Sequence, residues 1–292
     1  MKNNHLEIRT ISLEKNLGFA GGYNEGLKQI NAEYFIIVNS DVEVTKNWIP
    51  PLIEVLKNNN SISAIQPKIL SLTNKDYFEY AGAAGGFIDL LAYPFCRGRV
   101  FNHVELDEKQ YNTYSEIFWA SGACMAIKSK DFNVVGGFDK DFFAHMEEID
   151  LCWRLKNLGK HIFYTSESNV YHYGGGTLEY SSPKKTYLNY RNNLWMIHKN
   201  FKGKIPLLLF IVIRIFLDQI SGLKLLLSGD LNGYLSIVKA HFSYIISIGE
   251  LNFKRKQYSK LNFHDLKGYT NKSAIWNYFF LKRKTFSEIK GK

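Results

Sequence analysis

Tyr34-Phe35-Ile36-Ile37-Val38-Asn39-Ser40-Asp41 decides the fold class of this 292-residue chain. Five apolar residues in a row, closed by polar ones, read as a buried strand of a parallel sheet. Ahead of it, the Gly-rich stretch Gly18 to Leu27 reads as a turn leading into a short helix. Behind it, Trp48 to Leu56 has helical spacing, with Pro50 and Pro51 where a helix start tolerates proline. Ser61 to Gln66 is a short strand, and residues 71–115 read as a long irregular loop. Ile117 to Ile127 reads as a strand bent at Gly122, and Glu147 to Leu158 as a helix stopped by Gly159. His161–Thr165 and Asn169–Tyr173 are two short strands. Ser182-Pro183 then caps and opens a helix to about Asn200. Strands alternating with helices imply an α/β sandwich.

Composition narrows the function. Cys96, Cys124 and Cys152 are odd in number and lack a C-x-x-C pair, which argues against a disulfide scaffold or zinc knuckle. No apolar leader follows Met1, so the expected setting is the cytoplasm or the inner face of the cell membrane. Of the net charge of +10, residues 251–292 contribute 11 Lys/Arg against 2 Asp/Glu. Such a tail suits an anionic partner. It also interleaves Phe253, Tyr258, Phe263 and Trp276, as single-strand binders do, but no nucleic-acid module accompanies it, and no nucleic-acid partner is expected. The apolar run from Ile205 to Ile213 is interrupted by Arg214, Asp218 and Lys224 and falls short of a spanning helix. With Tyr234 to Ile248 it forms two amphipathic helices, read either as an interfacial membrane anchor or as a hairpin packed on the catalytic domain.

Four places could carry chemistry. Asp41 ends a strand, where ligands of open α/β sheets bind, and a carboxylate there suits Mg²⁺ or Mn²⁺ with a diphosphate, although such an Asp also serves as a turn residue. Glu147, Glu148 and Asp150 crowd a helix start. Asp150 and Arg154 are spaced for an i,i+4 pair, Glu148 is left free to face a cleft, and crowded carboxylates raise one another's pKa as a general base needs. His172 ends a strand before Gly174-Gly175-Gly176 and gains meaning only if it lies near Asp41. Arg191 can grip phosphate or sit in a surface salt bridge.

Read in order, Asn16-Leu17-Gly18-Phe19-Ala20-Gly21-Gly22-Tyr23-Asn24, Asn39-Ser40-Asp41, Ser121-Gly122-Ala123, Gly136-Gly137-Phe138-Asp139, Glu147-Glu148-Ile149-Asp150-Leu151 and Val170-Tyr171-His172 resemble glycosyltransferase family 2, in particular bacterial rhamnosyltransferase-like members. The resemblance covers roughly residues 10–200. It implies a GT-A sandwich with a mixed sheet over residues 1–200; the helical, basic region read from composition at 201–292 follows it. It implies an inverting, metal-dependent transferase taking a sugar from a nucleotide-sugar donor to a saccharide or polyprenyl-linked acceptor. Asp41 matches the last acid of the family's D-x-D element and His172 a position that completes the metal site in some relatives. Glu148 matches the usual base, with Glu147 and Asp150 as further candidates. Asn16, Gly18, Gly21, Asn24, Asn39, Trp119, Ser121, Gly122 and Arg191 are the expected substrate contacts. Family members ordinarily carry an earlier strand and an acidic pair that hold the nucleobase and ribose. Their absence ahead of Leu6–Ile11 leads to the expectation of a fragment, a misassigned start or a chain that has lost half its nucleotide site, with a catalytically degenerate, membrane-associated scaffold as the alternative reading.

Overall fold

Apolar runs that need cover on both faces dictate a sheet sandwiched between helices, and that is the architecture found. The computed structural model describes residues 9–174, 182–258 and 260–290. In chain order these form α1 (Gly18–Leu27), β1 (Tyr34–Val38), β2 (Val42–Val44), α2 (Ile49–Asn58) and β3 (Ile62–Ser71). Four short strands follow: β4 (Gly86–Ile88), β5 (Pro94–Cys96), β6 (Arg99–Val100) and β7 (His103–Val104). Next come β8 (Ser115–Ile117), β9 (Cys124–Lys128), α3 (Ser129–Val134), α4 (Glu147–Asn157), β10 (His161–His172) and α5 (Pro183–Asn200). The chain closes with α6 (Leu207–Leu227), α7 (Leu231–Ile246), α8 (Ile248–Lys256) and α9 (Phe286–Lys290).

The main sheet is mixed, in the order β1-β9-β3-β10-β2, with β8 also on β10. Only β3 and β10 run parallel; β1 pairs antiparallel with β9. The parallel setting expected for Tyr34–Val38 is thus corrected. Its continuous apolar run reports two covered faces, not strand direction: Phe35 and Ile37 join the main core, while Tyr34 and Ile36 pack against Leu52 and Leu56 of α2.

Three other expectations change. The region 71–115 holds the small antiparallel sheet β4-β5-β6-β7, whose strands are too short to show alternation. The single strand expected at 117–127 is two, β8 and β9, separated by the turn at Ser121-Gly122. The two strands expected at 161–173 are one, β10, with a break in register between Thr165 and Asn169. The N-terminal half of β10 pairs with β8 and its C-terminal half with β2. Of the strand expected at Leu6–Ile11, residues 6–8 lie outside the described residues and 9–11 are not a strand; Gly175 and Gly176 also lie outside.

Residues beyond 200 share the core of the sheet domain. Phe201, Phe210, Phe263, Phe286 and Ile289 belong to one buried cluster with Phe118, Trp153 and Phe87. Trp153 stacks on Phe263, and Phe286 packs on the rings of Phe87 and Phe95. The basic tail therefore wraps the body. No helix among the described residues is long and apolar enough to cross a membrane.

Candidate active site

Register brings the first site together. Val42 on β2 stands opposite His172 on β10, so Asp41, one residue earlier, lies beside that histidine. The Tyr173 N–H donates to the Asp41 carbonyl at 3.0 Å and fixes the turn. Asp41 Oδ1 and His172 Nε2 are 3.2 Å apart. Beyond Ser71, opposite His172 on β3, the chain turns back and the Glu79 N–H bonds the Ile69 carbonyl. Glu79 thereby reaches the other side of the imidazole, with Oε2 3.2 Å from His172 Nδ1. Both contacts lack hydrogen-bond angles, so Asp41 Oδ1 and both ring nitrogens are enclosed polar atoms without a hydrogen bond. Burial acts to lower the His172 pKa; the Glu79 and Asp41 carboxylates outweigh it and raise it.

Two enclosed donor atoms, one carboxylate and one imidazole, at this separation fit a divalent cation that takes its remaining ligands from phosphate and water. A carboxylate behind the second ring nitrogen is the usual outer partner of a metal-binding histidine. Among the described residues no cluster of three His, Cys, Asp or Glu side chains could hold a metal alone. Glu79 is the residue the sequence reading missed. Its signal was a lone acid inside the aromatic run Tyr77-Phe78-Glu79-Tyr80, which must find a buried partner.

The acid pair opens α4. The loop before it is strained: Phe143, His145 and Met146 all have positive φ, at 66°, 70° and 70°. Asn192 of α5 holds that loop, donating to the carbonyls of Phe142, Ala144 and His145 at 2.8–2.9 Å. Glu147 is buried and Glu148 partly so, and one carboxylate oxygen of each is enclosed without a partner. Burial first, then the charges of Glu148 and Asp150, push Glu147 well above the carboxylate range. Burial raises Glu148 to about 7, against hydrogen bonds from its own and the Ile149 N–H. Burial and the nearby Lys185 charge bring His145 down to about 4.

The turn at 120–123 ties the two halves. The Ala123 carbonyl accepts from Asn39 N–H at 3.0 Å, next to Asp41, while Ala120 N–H reaches Cys152 Sγ of α4 at 3.4 Å. Three residues of chain span at most about 10 Å. Lys185 lies across the gap, where its charge is felt by His145 and it feels Glu79.

Several expected contact residues build this scaffold. Asn16, just ahead of α1, accepts from Gly18 N–H through its Oδ1 at 2.8 Å. Gly18 has φ of 71°, and a Cβ there would meet the Phe143 carbonyl at 2.3 Å; one at Gly21 would meet Leu17. Asn24 bonds both backbone groups of Phe138. Asn39 forms the turn to Val42. Trp119 is buried across Gly86 and donates to the Phe87 carbonyl at 3.0 Å, so it is packing. Ser121 is buried between Gln66 and Ala81, and Gly122 faces the Phe19 ring. Arg191 braces the acid loop through the carbonyls of Asp141 and Phe142 and lies over Trp195. Asp150 is a structural anchor, not a catalytic group: fully buried, it is bonded by Arg154, Lys199 and Asn200.

With this geometry in place, comparison with known proteins is specific. The family model described as Glycosyl transferase family 2 matches residues 1–136. The Haloferax volcanii protein "Low-salt glycan biosynthesis hexosyltransferase Agl10" is 24% identical over 223 residues, covering 73% of this chain and 68% of that one. The Mycobacterium tuberculosis "N-acetylglucosaminyl-diphospho-decaprenol L-rhamnosyltransferase" is 23% identical over 180 residues, covering 57% of this chain and 59% of its own. A solved structure, "Crystal structure of GalNAc-T7 with UDP, GalNAc and Mn2+", aligns at a TM-score of 0.48 with 17% identity, covering 65% of this chain and 36% of that one, a likeness too loose to carry ligands across. The ordered motifs, the mixed sheet they build and the matched region agree: over residues 1–136, just under half of its length, the chain matches glycosyltransferase family 2, and it is similar to rhamnosyltransferase and hexosyltransferase relatives.

Proposed function

We propose that this chain is an inverting glycosyltransferase that moves a sugar from a nucleotide-sugar donor to a saccharide or lipid-linked saccharide acceptor in cell-surface polysaccharide synthesis. The observation that carries the reading is the enclosed Asp41–His172 pair, 3.2 Å apart, on a strand end that the turn at 120–123 ties to the helix carrying the acid pair. Asp41 and His172 would hold Mg²⁺ or Mn²⁺, which when bound neutralises charge on a departing diphosphate. Glu79 orients the imidazole from behind.

Glu148 takes the proton from the acceptor hydroxyl. A carboxylate raised to about 7 is a fair base at neutral pH and still ionised in a useful fraction. Beside it, burial and the Glu148 charge push Glu147 well above the carboxylate range, so two negative charges are disfavoured in the pair. Attack from the face opposite the diphosphate inverts the anomeric centre.

The enzyme works at a membrane surface on the cytoplasmic side. The outward face of the α6–α7 hairpin supports this: Val212, Phe216, Ile220, Leu223, Phe242 and Ile246 are all exposed.

A transfer assay tests the chemistry. Glu148→Gln is expected to lower turnover about 10²–10⁴-fold, and Asp41→Ala to abolish metal-dependent transfer. Wild-type rates in both variants would contradict the proposal. A correctly folded wild-type chain that binds donor but never turns it over would favour the degenerate scaffold.

A further inference from the structure

Beside the strained loop that leads into Glu147, helices α5 and α7 bound an open cleft lined by Phe143, Lys184, Tyr187, Arg191 and Lys239. Three lining side chains are cations and none is an acid. Lys184 lies over the Phe143 ring at 4.7 Å, Lys239 over Tyr187 at 5.3 Å and Arg191 over Trp195 at 4.2 Å. Among the described residues no carboxylate lies within ion-pair distance of these three. Other cations of the fold behave differently: Lys68, Lys156, Arg154, Lys199 and Lys254 each sit on a carboxylate. Burial acts to raise the Tyr187 phenol, yet its bond to Ser243 and the charges of Arg191 and Lys239 hold it below its ordinary value, the mark of a positive field in the cleft.

The cleft opens onto a surface of unusual polarity. On α6 two of the three charged residues point inward: Arg214 and Asp218 are buried, with Tyr93 and His241 around them, while Lys224 near the C-terminal end is exposed. The outward stripe of the same helix is hydrocarbon, with Phe216 65% exposed. On α7, Phe242 is equally exposed, and Lys239 lies between Val238 and Phe242 in that stripe. A helix facing water carries the reverse pattern. Cations bordering exposed hydrocarbon complement a molecule with a phosphate head and an apolar tail.

We propose that the cleft between α5 and α7 seats the phosphate or diphosphate of a membrane-embedded lipid, whose chain lies along the apolar face of α6–α7, so that the sugar it carries is presented to the loop before Glu147-Glu148. This deepens the transferase reading and rests on it. The ligand is lipid-borne: free phosphate would leave the hydrocarbon stripe uncovered.

Flotation of the full chain with phosphatidylcholine vesicles, plain or doped with a long-chain polyprenyl diphosphate, is the test. Doped vesicles should capture the chain far better than plain ones. The double variant Lys184→Gln/Lys239→Gln should lose about tenfold or more of the capture by doped vesicles, since each cation near an anionic surface contributes about fivefold. Phe216→Ser/Phe242→Ser should lose capture by both. Asp41→Ala, which the transferase reading makes inactive, should float like wild type. If Asp41→Ala retains transfer activity, the catalytic reading fails separately from the lipid seat. Equal capture by plain and doped vesicles, or wild-type capture by the double glutamine variant, would overturn the seat. Stripping of the chain from doped vesicles by equimolar inorganic pyrophosphate would overturn the lipid as its source.

Discussion

Glu148 shows how much one residue's burial decides. Its carboxyl, raised to about 7, binds a proton more tightly folded than unfolded. Between the ordinary carboxylate value and about 7 the native state therefore holds the extra proton, and stability falls as pH rises through that window. Glu148→Gln should raise the melting temperature at pH 8, by about 1–3 kcal/mol of stability, and change it little at pH 5, as differential scanning calorimetry would show. An equal shift at both pH values would mean the carboxylate is not held up by burial. Turnover should rise with pH through the same region. The acid pair was legible because three carboxylates crowd one helix start. Glu79 was not, because its role depends on a hairpin return that lays it against β3, and nothing in local spacing announces that. Glu79→Gln keeps size and loses charge; it should weaken divalent metal binding about 10–100-fold, the usual effect of an outer partner, with no loss of fold by circular dichroism.

Elements, more than side chains, carry the motif residues that first read as ligand contacts. The start of α1 presses on Phe143, where the positive φ of Gly18 lets two backbones touch. Gly18→Ala should displace the acid loop, cutting turnover by tenfold or more while the melting temperature drops by several degrees; unchanged kinetics would show the loop independent of α1. Asp139 does similar work at the other end. It is bound by Lys199 of α5 and Lys254 of α8; burial would raise its pKa, and those two ammonium groups hold it well below the carboxylate range instead. Asp139→Asn takes one carboxylate from each lysine, leaving Asp150 to Lys199 and Asp141 to Lys254, and should cost about 1–3 kcal/mol, measurable by urea denaturation. Helix ends read well because caps and prolines act locally, as Ser182 and Pro183 do at α5. Strand direction read poorly: an apolar run such as β1 records burial on both faces and is silent about its neighbours. The small sheet β4–β7 stayed hidden because two- and three-residue strands have no period.

Across the whole molecule, sequence composition suggests a neutral body followed by a basic tail, with the helices between them read either as a membrane anchor or as a hairpin packed on the body. Packing places tail residues in the largest of the buried clusters, and charges at 254–255 bind the body: Lys254 meets Asp139, and Arg255 donates to the His198 carbonyl. Removing residues 201–292 should accordingly yield insoluble protein rather than a soluble catalytic unit. The fold leaves two faces for function, the Asp41–His172 end of the sheet and the apolar hairpin, with the acid loop and its cationic cleft between them. The most direct measurement of this arrangement is Mn²⁺ binding, followed by electron paramagnetic resonance with a nucleoside diphosphate present, for wild type, Asp41→Ala and His172→Ala. Each variant should bind at least about tenfold more weakly. Wild-type affinity in either one would show that the two side chains, though in contact, are not a metal seat.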